Sequence, residues 1–492
     1  MNPRMPSQVA TDVHGHLIGA ARDRGPVNGC AIDSRRVRPG DLFVALSGGH
    51  VDGHHYIGEA FARGAAAALV RRGDWARSRD APAGPIVEVD DPARALLDLA
   101  RAERGRLSAT VIAVTGSTGK TCTKDFTAAV LGRRLRVTAS PASFNNEVGL
   151  PLTILAADGT TQAVVCEMGS RGRGHIRALC EIARPQVGVV TNVGLAHLEL
   201  FGSLEALHAA KAELPQALPA GGTAVLNADD PVVRGYADST DADVVRFGLG
   251  HDAVVRAEAL ALEERTGRSR FRLETPDGRA TVHLPVPGEH MVANALAAAA
   301  VGWVRGVPVE ESAAGLAAAQ VGGSRMEVFE TPAGLRIVND AYNANPASMA
   351  AALKAARWMA GDGRCIAVLG PMAELGPDSA DHHERLGELL VRLGIDGLVT
   401  VGDRARLIAV GAEREGLEPE RIVTCGDSDE AVEALRSMLR PGDLVLVKAS
   451  RAAHLDRVAE ALRDRPTNAI PGDAATSDPA AGARAPAGKR AS

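Results

Sequence analysis

A chain of 492 residues is longer than one hydrophobic core organises, so two to four domains are expected. A formal net charge of −5 supplies no basic field and sets nucleic acid aside as a partner. Six scattered cysteines without a C-x-x-C pair exclude a disulfide framework or a zinc ribbon, and with no signal-like N-terminus and no bilayer-length apolar run the expectation is a cytoplasmic protein without membrane insertion.

Residues 1–105 read as a small α/β unit. Its informative stretch is Ala31-Ile-Asp-Ser-Arg-Arg-Val-Arg-Pro-Gly-Asp-Leu-Phe-Val-Ala-Leu46, a polar loop leading through Pro39-Gly40 into an apolar strand. Asp33, Ser34 and Arg35 can bind a phosphate or a nucleobase; a charged surface turn explains them equally well. Asp52-Gly-His-His55 precedes a helix, and its histidine pair is expected to be solvated rather than to hold a metal.

A second unit spans 106–325. It opens on Thr110-Val-Ile-Ala-Val-Thr-Gly-Ser-Thr-Gly-Lys-Thr-Cys-Thr-Lys124, which reads as buried strand, glycine turn and helix start. Gly116, Ser117, Thr118, Gly119, Lys120 and Thr121 form a shortened phosphate cradle, because Val114 stands where the longer G-x-x-x-x-G-K-[ST] motif needs glycine. The two glycines turn the backbone with its amides inward, the helix N-terminus favours an anion, and Thr121 offers a hydroxyl to Mg²⁺. A nucleoside triphosphate is the expected ligand. Apolar runs at 111–114, 163–166, 187–191 and 223–226 alternate with helices, the pattern of a mostly parallel sheet covered on both faces. Ligands collect at the carboxyl ends of such strands. Glu167 and His197 follow two of those ends and could complete a metal site begun by Thr121. Residues 253–287 change to short alternating strands with Thr275-Pro-Asp-Gly278 as a hairpin turn, an antiparallel insertion. An alanine-rich helix carrying Asn294 follows, and Gly322-Gly-Ser-Arg325 marks the next boundary.

Residues 326–465 repeat the strand-helix alternation without a phosphate loop, as a Rossmann-like domain suited to delivering a second substrate or closing over the first. Asn339-Asp-Ala-Tyr-Asn-Ala-Asn-Pro346 is its densest polar cluster, and Tyr342 is one of three tyrosines in the chain. Residues 466–492 are rich in Ala, Pro, Gly and Ser and are expected to be disordered. The fold class is therefore α/β with three domains: an N-terminal unit, a central phosphate-loop parallel sheet with an antiparallel insertion, and a C-terminal Rossmann-like domain.

The 55 basic residues comprise 49 arginines and only six lysines, at 120, 124, 211, 354, 448 and 489. A surviving lysine is a candidate for chemistry that needs a compact charge or an amine able to lose its proton. Outside the phosphate loop this singles out Lys211 and Lys448.

The succession Asp33-Ser-Arg, Thr115-Gly-Ser-Thr-Gly-Lys-Thr121, Glu167-Met-Gly, Ala196-His-Leu-Glu, Lys211-Ala-Glu-Leu, Gly288-Glu-His and Ser324-Arg-Met-Glu resembles the Mur ligase family, which builds peptidoglycan precursors. Within it, Ser143-Phe-Asn-Asn-Glu-Val-Gly-Leu-Pro-Leu-Thr153, Asn339 to Pro346 and Val368-Leu-Gly-Pro-Met-Ala-Glu-Leu-Gly376 are similar to the member that adds the terminal dipeptide. The resemblance implies an ATP- and Mg²⁺-dependent amide-forming ligase acting on UDP-N-acetylmuramoyl-tripeptide and D-alanyl-D-alanine through an acyl phosphate, with a monomer as the default state. It implies Lys120, Lys211 and His197 as catalytic residues, and Thr121, Glu167, His197 and Lys211 as metal ligands, Lys211 through carbamylation. Asn294, Arg325, Asp340, Tyr342 and Asn343 join the phosphate loop on the nucleotide side. Asp33, Ser34, Arg35, Asn145, Asn146 and Lys448 are assigned to substrate. A sibling ligase with another amine, or an ATP-binding regulatory module without ligation, are the competing readings.

Overall fold

The structure is a computed structural model that describes residues 1–19, 25–49, 51–77, 84–195 and 198–463. His197 and the expected tail from 466 lie outside the described residues.

Three sheets follow one another along the chain. The first joins β1 (His16–Ile18), β2 (Gly29–Ala31), β3 (Asp41–Val44), β4 (Ala67–Arg71) and β5 (Ile86–Val89) in the order β1-β5-β4-β3-β2, parallel except for β1. The second has nine strands: β6 (Thr110–Thr115), β7 (Val137–Ala139), β8 (Ala163–Glu167), β9 (Val187–Val190), β10 (Thr223–Asn227), β11 (Asp243–Gly248), β12 (Val255–Leu262), β13 (Arg268–Thr275) and β14 (Gly278–Pro287). Their order is β14-β13-β12-β11-β10-β9-β6-β8-β7, with β6 at the interior and β8 and β9 flanking it. The third orders β15 (Glu327–Glu330), β16 (Arg336–Asn339), β17 (Cys365–Leu369), β18 (Gly397–Val401), β19 (Ile422–Cys425) and β20 (Leu444–Lys448) as β15-β16-β20-β17-β18-β19, with only β15 antiparallel.

Burial explains the two strand types. β6, β8 and β9 are apolar along nearly their whole length because helices cover both faces. β13 and β14 alternate buried and exposed residues, as strands with one wet face do. Thr275 pairs with Gly278 across the expected two-residue turn. The antiparallel segment is not a separate body, however. β12 pairs in parallel with β11 and then turns antiparallel to β13, so the insertion extends the central sheet itself.

The three units pack on one another. Leu69, Leu96 and Leu99 of the first share an apolar cluster with Leu150, Ile154 and Ile176 of the second. Arg104, on helix Pro92–Arg106, donates to the carbonyls of Ala183 (2.7 Å), Leu107 (3.0 Å) and Arg184 (3.2 Å), capping the helix His175–Ala183 across that junction. Between the second and third units, Met359 packs under the β12–β13 hairpin, so close that a Cβ on Gly267 would lie 2.5 Å from its Cγ. On the opposite side, Glu199 N donates to Glu374 O at 3.2 Å.

The expected solvation of the Asp52-to-His55 pair is half wrong. His54 is fully buried: Nδ1 meets Asp52 Oδ1 at 2.6 Å and Nε2 accepts from Arg71 N at 3.0 Å. The imidazole ties a 3₁₀ turn to β4, and His55 stays exposed.

Candidate active site

β6 delivers the chain to Gly116, whose φ of +146° and tight surroundings admit no side chain: a Cβ would lie 2.0 Å from Thr191 Oγ1. Gly119 (φ +78°) is the N-cap of helix Lys120–Leu131 and abuts Asn294, whose Oδ1 would be 2.1 Å from an added Cβ. The loop between them is held by the end of β9. Ser117 N donates to Asn192 O (2.9 Å), and Thr118 N (2.9 Å) and Oγ1 (3.0 Å) both donate to Asn192 Oδ1. Thr191 Oγ1 donates to Thr118 O at 2.6 Å, and Ser117 Oγ donates to Gly194 O at 2.9 Å. These ties fix the loop backbone. Lys120 folds back so that Nζ donates to the carbonyls of Gly116 (2.9 Å) and Ser117 (3.0 Å), which places a cation over its own loop.

The other groups arrive from later elements. Glu167, 1 % exposed at the end of β8, accepts from Thr121 Oγ1 at 2.7 Å through Oε2 and from Asn145 Nδ2 at 2.8 Å through Oε1. Lys211, 1 % exposed on helix Leu204–Gln216, donates to Ser170 Oγ at 3.0 Å. Two residues on, Glu213 accepts from the backbone N–H of Arg177 at 3.0 Å and from that of Gly174, so one helix grips both the loop after β8 and the first turn of helix His175–Ala183. Burial drives the Lys211 ammonium well below its ordinary pKa and Lys120 pushes it further, against Glu213. Burial also lowers Lys120, with Glu167 opposing and Arg325 adding to the shift.

Arg325 joins the central and C-terminal units. Its Nη2 donates to Thr121 Oγ1 (3.2 Å) and Ser143 Oγ (2.9 Å), while its guanidinium lies 3.7 Å from the centroid of the Tyr342 ring. Asp340 follows β16, accepting from Met326 N at 3.1 Å and from Lys448 Nζ at 2.6 Å. Lys448 also donates to Asn343 O at 2.9 Å, leaving the Asn343 side chain exposed.

The structure thus brings together Gly116 to Thr121, Asn145, Glu167, Lys211, Asn294 and Arg325, with Asp340, Tyr342, Asn343 and Lys448 on the facing wall. Asn146 lies beside Asn145, but its Oδ1 accepts from Val148 N (3.2 Å) and Gly149 N (2.9 Å) at the start of the next helix. The Asp33-Ser34-Arg35 group sits apart on the first sheet. Arg35 pairs with Asp33 (Nη2–Oδ2 2.8 Å) and Ser34 donates to Glu59 at 2.9 Å. Sequence reasoning missed Thr191, Asn192, Ser143 and Ser170. Their only signal was position: each follows a strand or flanks a motif that had drawn attention.

A phosphate loop at the carboxyl edge of a parallel sheet, faced by a Rossmann-like domain carrying its own polar strand ends, defines a nucleotide-utilising multidomain enzyme. Family models agree along the chain: "Mur ligase family, catalytic domain" matches residues 26–104, "Mur ligase middle domain" 114–302, and "Mur ligase, glutamate ligase domain" 324–451. The UDP-N-acetylmuramoyl-tripeptide–D-alanyl-D-alanine ligase of Mycobacterium tuberculosis is 45% identical, covering 87% of this chain and 91% of its own. A crystal structure of MurF from Acinetobacter baumannii superposes with a TM-score of 0.81 at 28% identity, covering 94% of this chain and 100% of that one. MurF ligase from Thermotoga maritima, solved in complex with ADP, gives 0.74 at 31% identity over 89% and 97%. The chain belongs to the Mur ligase family.

Proposed function

We infer that this Mur ligase joins D-alanyl-D-alanine to the terminal carboxylate of UDP-N-acetylmuramoyl-tripeptide at the expense of ATP, in peptidoglycan precursor synthesis. The observation that carries the reading is that Thr121 bonds both Glu167 and Arg325 behind the phosphate loop, with Lys120 folded over that loop and the buried Lys211 near enough to feel its charge, in a chain whose relatives bear that ligase name over nearly their whole length.

A carboxylate does not accept an amine at neutral pH. The γ-phosphoryl group of ATP therefore passes to the tripeptide's carboxylate oxygen, its bond to the β-phosphate oxygen breaks, and ADP leaves. The dipeptide amine attacks the acyl carbon, the carbon–oxygen bond to phosphate breaks, and amide and phosphate form as the amine loses its proton to a base. The protein's task is positioning and charge stabilisation. The loop backbone, fixed by Thr191 and Asn192, presents the amides at the start of helix Lys120–Leu131 to the phosphates; Lys120 and Arg325 oppose the charge that spreads over the transferred group. Asn294 and the Asp340-to-Asn343 wall flank the nucleotide. Asp33, Ser34, Arg35, Asn145 and Asn146 are assigned to the UDP-substrate side.

The donor set suits Mg²⁺. Thr121 and Glu167 present buried oxygens, the hard donors this cation takes. Burial lowers the Lys211 pKa and so favours its neutral amine, the state that can take up CO₂ and become an oxygen ligand. Thr121, Glu167 and a carbamylated Lys211 would hold the ion, which when bound neutralises phosphate charge.

The reading is tested by phosphate release from purified protein, Mg·ATP and UDP-N-acetylmuramoyl-tripeptide on adding D-alanyl-D-alanine, beside a panel of single amino acids. Release that depends on the dipeptide is expected. Equal release without an amine, or preference for a single amino acid, overturns it.

A further inference from the structure

Lys448 and Arg451 leave the carboxyl end of β20 together, and their surroundings differ. Lys448 is 2 % exposed and its charge is met by Asp340 at 2.6 Å. Arg451 is exposed, and among the described residues no carboxylate stands within ion-pair distance of its guanidinium. What it does touch is Tyr342, whose ring centroid lies 5.0 Å from Arg451 Cζ and 3.7 Å from Arg325 Cζ. Arg451 thus shares one ring with a guanidinium that itself donates to Thr121 at the head of the phosphate loop.

The mount is firm. Ser450 N donates to Pro371 O (3.0 Å), and Ser450 Oγ accepts from Ala373 N (2.8 Å) and donates to Ala344 O (3.4 Å). The loops after β16, β17 and β20 are tied at the residue preceding Arg451, so its guanidinium is presented from a fixed backbone.

We propose that Arg451 recognises the free C-terminal carboxylate of the incoming dipeptide. The proposal rests on the ligase reading above. With its amine neutral and ready to attack, the dipeptide carries one formal charge, the carboxylate at its far end. An extended dipeptide spans about 7 Å, so the cation that holds that end stands about this far from the reacting carbon. Lys120 covers the phosphate loop, Arg325 is bonded to Thr121 and Ser143, Lys211 is sealed behind Ser170, and Lys448 is neutralised. Arg451 has no carboxylate partner among the described residues, a fork that matches a carboxylate in two hydrogen bonds, and a position beside Tyr342 on the wall facing the loop.

The test compares wild type, Arg451→Ala and Arg451→Lys in phosphate release with saturating Mg·ATP and UDP-N-acetylmuramoyl-tripeptide, using D-alanyl-D-alanine and its C-terminal amide as acceptors. Wild type is expected to favour the acid. Arg451→Ala should raise KM for the acid by about tenfold or more, the loss of one charge-assisted pair, and bring the acid-to-amide ratio of kcat/KM towards one. KM for ATP should stay within about twofold, and Arg451→Lys should fall between. An unchanged ratio, or a rise confined to KM for ATP, overturns the role of Arg451 and leaves the ligase reading standing. Wild-type protein inactive with the dipeptide overturns the ligase reading, and the proposal with it.

Discussion

Thr121 Oγ1 donates to Glu167 Oε2 across 2.7 Å, which joins the first turn behind the phosphate loop to the carboxyl end of β8 at one buried hydroxyl. Glu167→Gln keeps the volume and removes the charge. A fall in kcat of about 10²-fold or more is expected, the scale of losing one preorganised electrostatic group, with the thermal midpoint little moved. Steady-state phosphate release beside a melting curve checks this, and a kcat within threefold of wild type would remove Glu167 from the site.

Burial, and then Lys120, push the Lys211 ammonium well below its ordinary pKa. Its folded pKa lies below its unfolded one, so between the two the unfolded chain binds the extra proton. Stability from this group therefore rises with pH, from the lowered folded value up to the ordinary lysine value near 10.4. In CO₂-free buffer, the stability difference between Lys211→Met and wild type should shrink as pH rises through that window, by at most about 1.4 kcal/mol per pH unit. Taking the difference cancels the buried cysteines, whose raised pKa values act in the opposite direction. Denaturant melts at several pH values would show it; a pH-independent difference contradicts the lowered pKa. Lys211→Ala should also lose ligation, with partial return on adding bicarbonate or a small carboxylic acid.

Gly119→Ala meets two obstacles, a positive φ and Asn294 Oδ1 at 2.1 Å from the new Cβ. A loss of about 1–3 kcal/mol and of ATP binding is expected. Adding Asn294→Gly should remove the clash but not the backbone strain, so the double variant should recover only part of the stability. Full recovery, read by chemical denaturation, would show that the left-handed geometry costs nothing.

Asp52 is held at about 2: burial raises it, and the hydrogen bonds from the ring and backbone of His54 overcome that. A carboxylate with a depressed folded pKa stabilises above its unfolded value near 3.9 and loses that contribution as pH falls towards 2. Asp52→Asn should therefore be less stable than wild type at pH 7 and converge on it between about pH 4 and 2. A constant gap in acid titrations followed by circular dichroism would contradict the His54 contact.

Much of the site was legible because its chemistry is local. Gly116, Gly119, Lys120 and Thr121 are neighbours in the chain, and a turn has no need of the lysine or the threonine. The scarcity of lysine was also informative. Lys124, Lys211 and Lys448 are buried and Lys120 lies over its loop, while Lys354 alone of the five described lysines is exposed. The His54 contact was illegible, since it depends on the β4 backbone seventeen residues away. The continuity of the antiparallel strands with the central sheet was hidden likewise, because a parallel β11–β12 pairing leaves no mark on residue alternation.

By itself the sequence determined three α/β units, the phosphate loop and the family motifs, all of which rest on residue type and short spacing. The tertiary structure decided which of those motifs share a site. Arg325 reaches Thr121 across 204 residues where the third unit packs on the second, and Lys448 reaches Asp340 across 108 because β16 and β20 are neighbours in the third sheet. It also decided what each charge meets: Lys448 is neutralised by Asp340, Lys211 is buried against Ser170, and Arg451 meets no carboxylate among the described residues. Those outcomes depend on burial and on partners distant in the chain, quantities that exist only once the chain has folded.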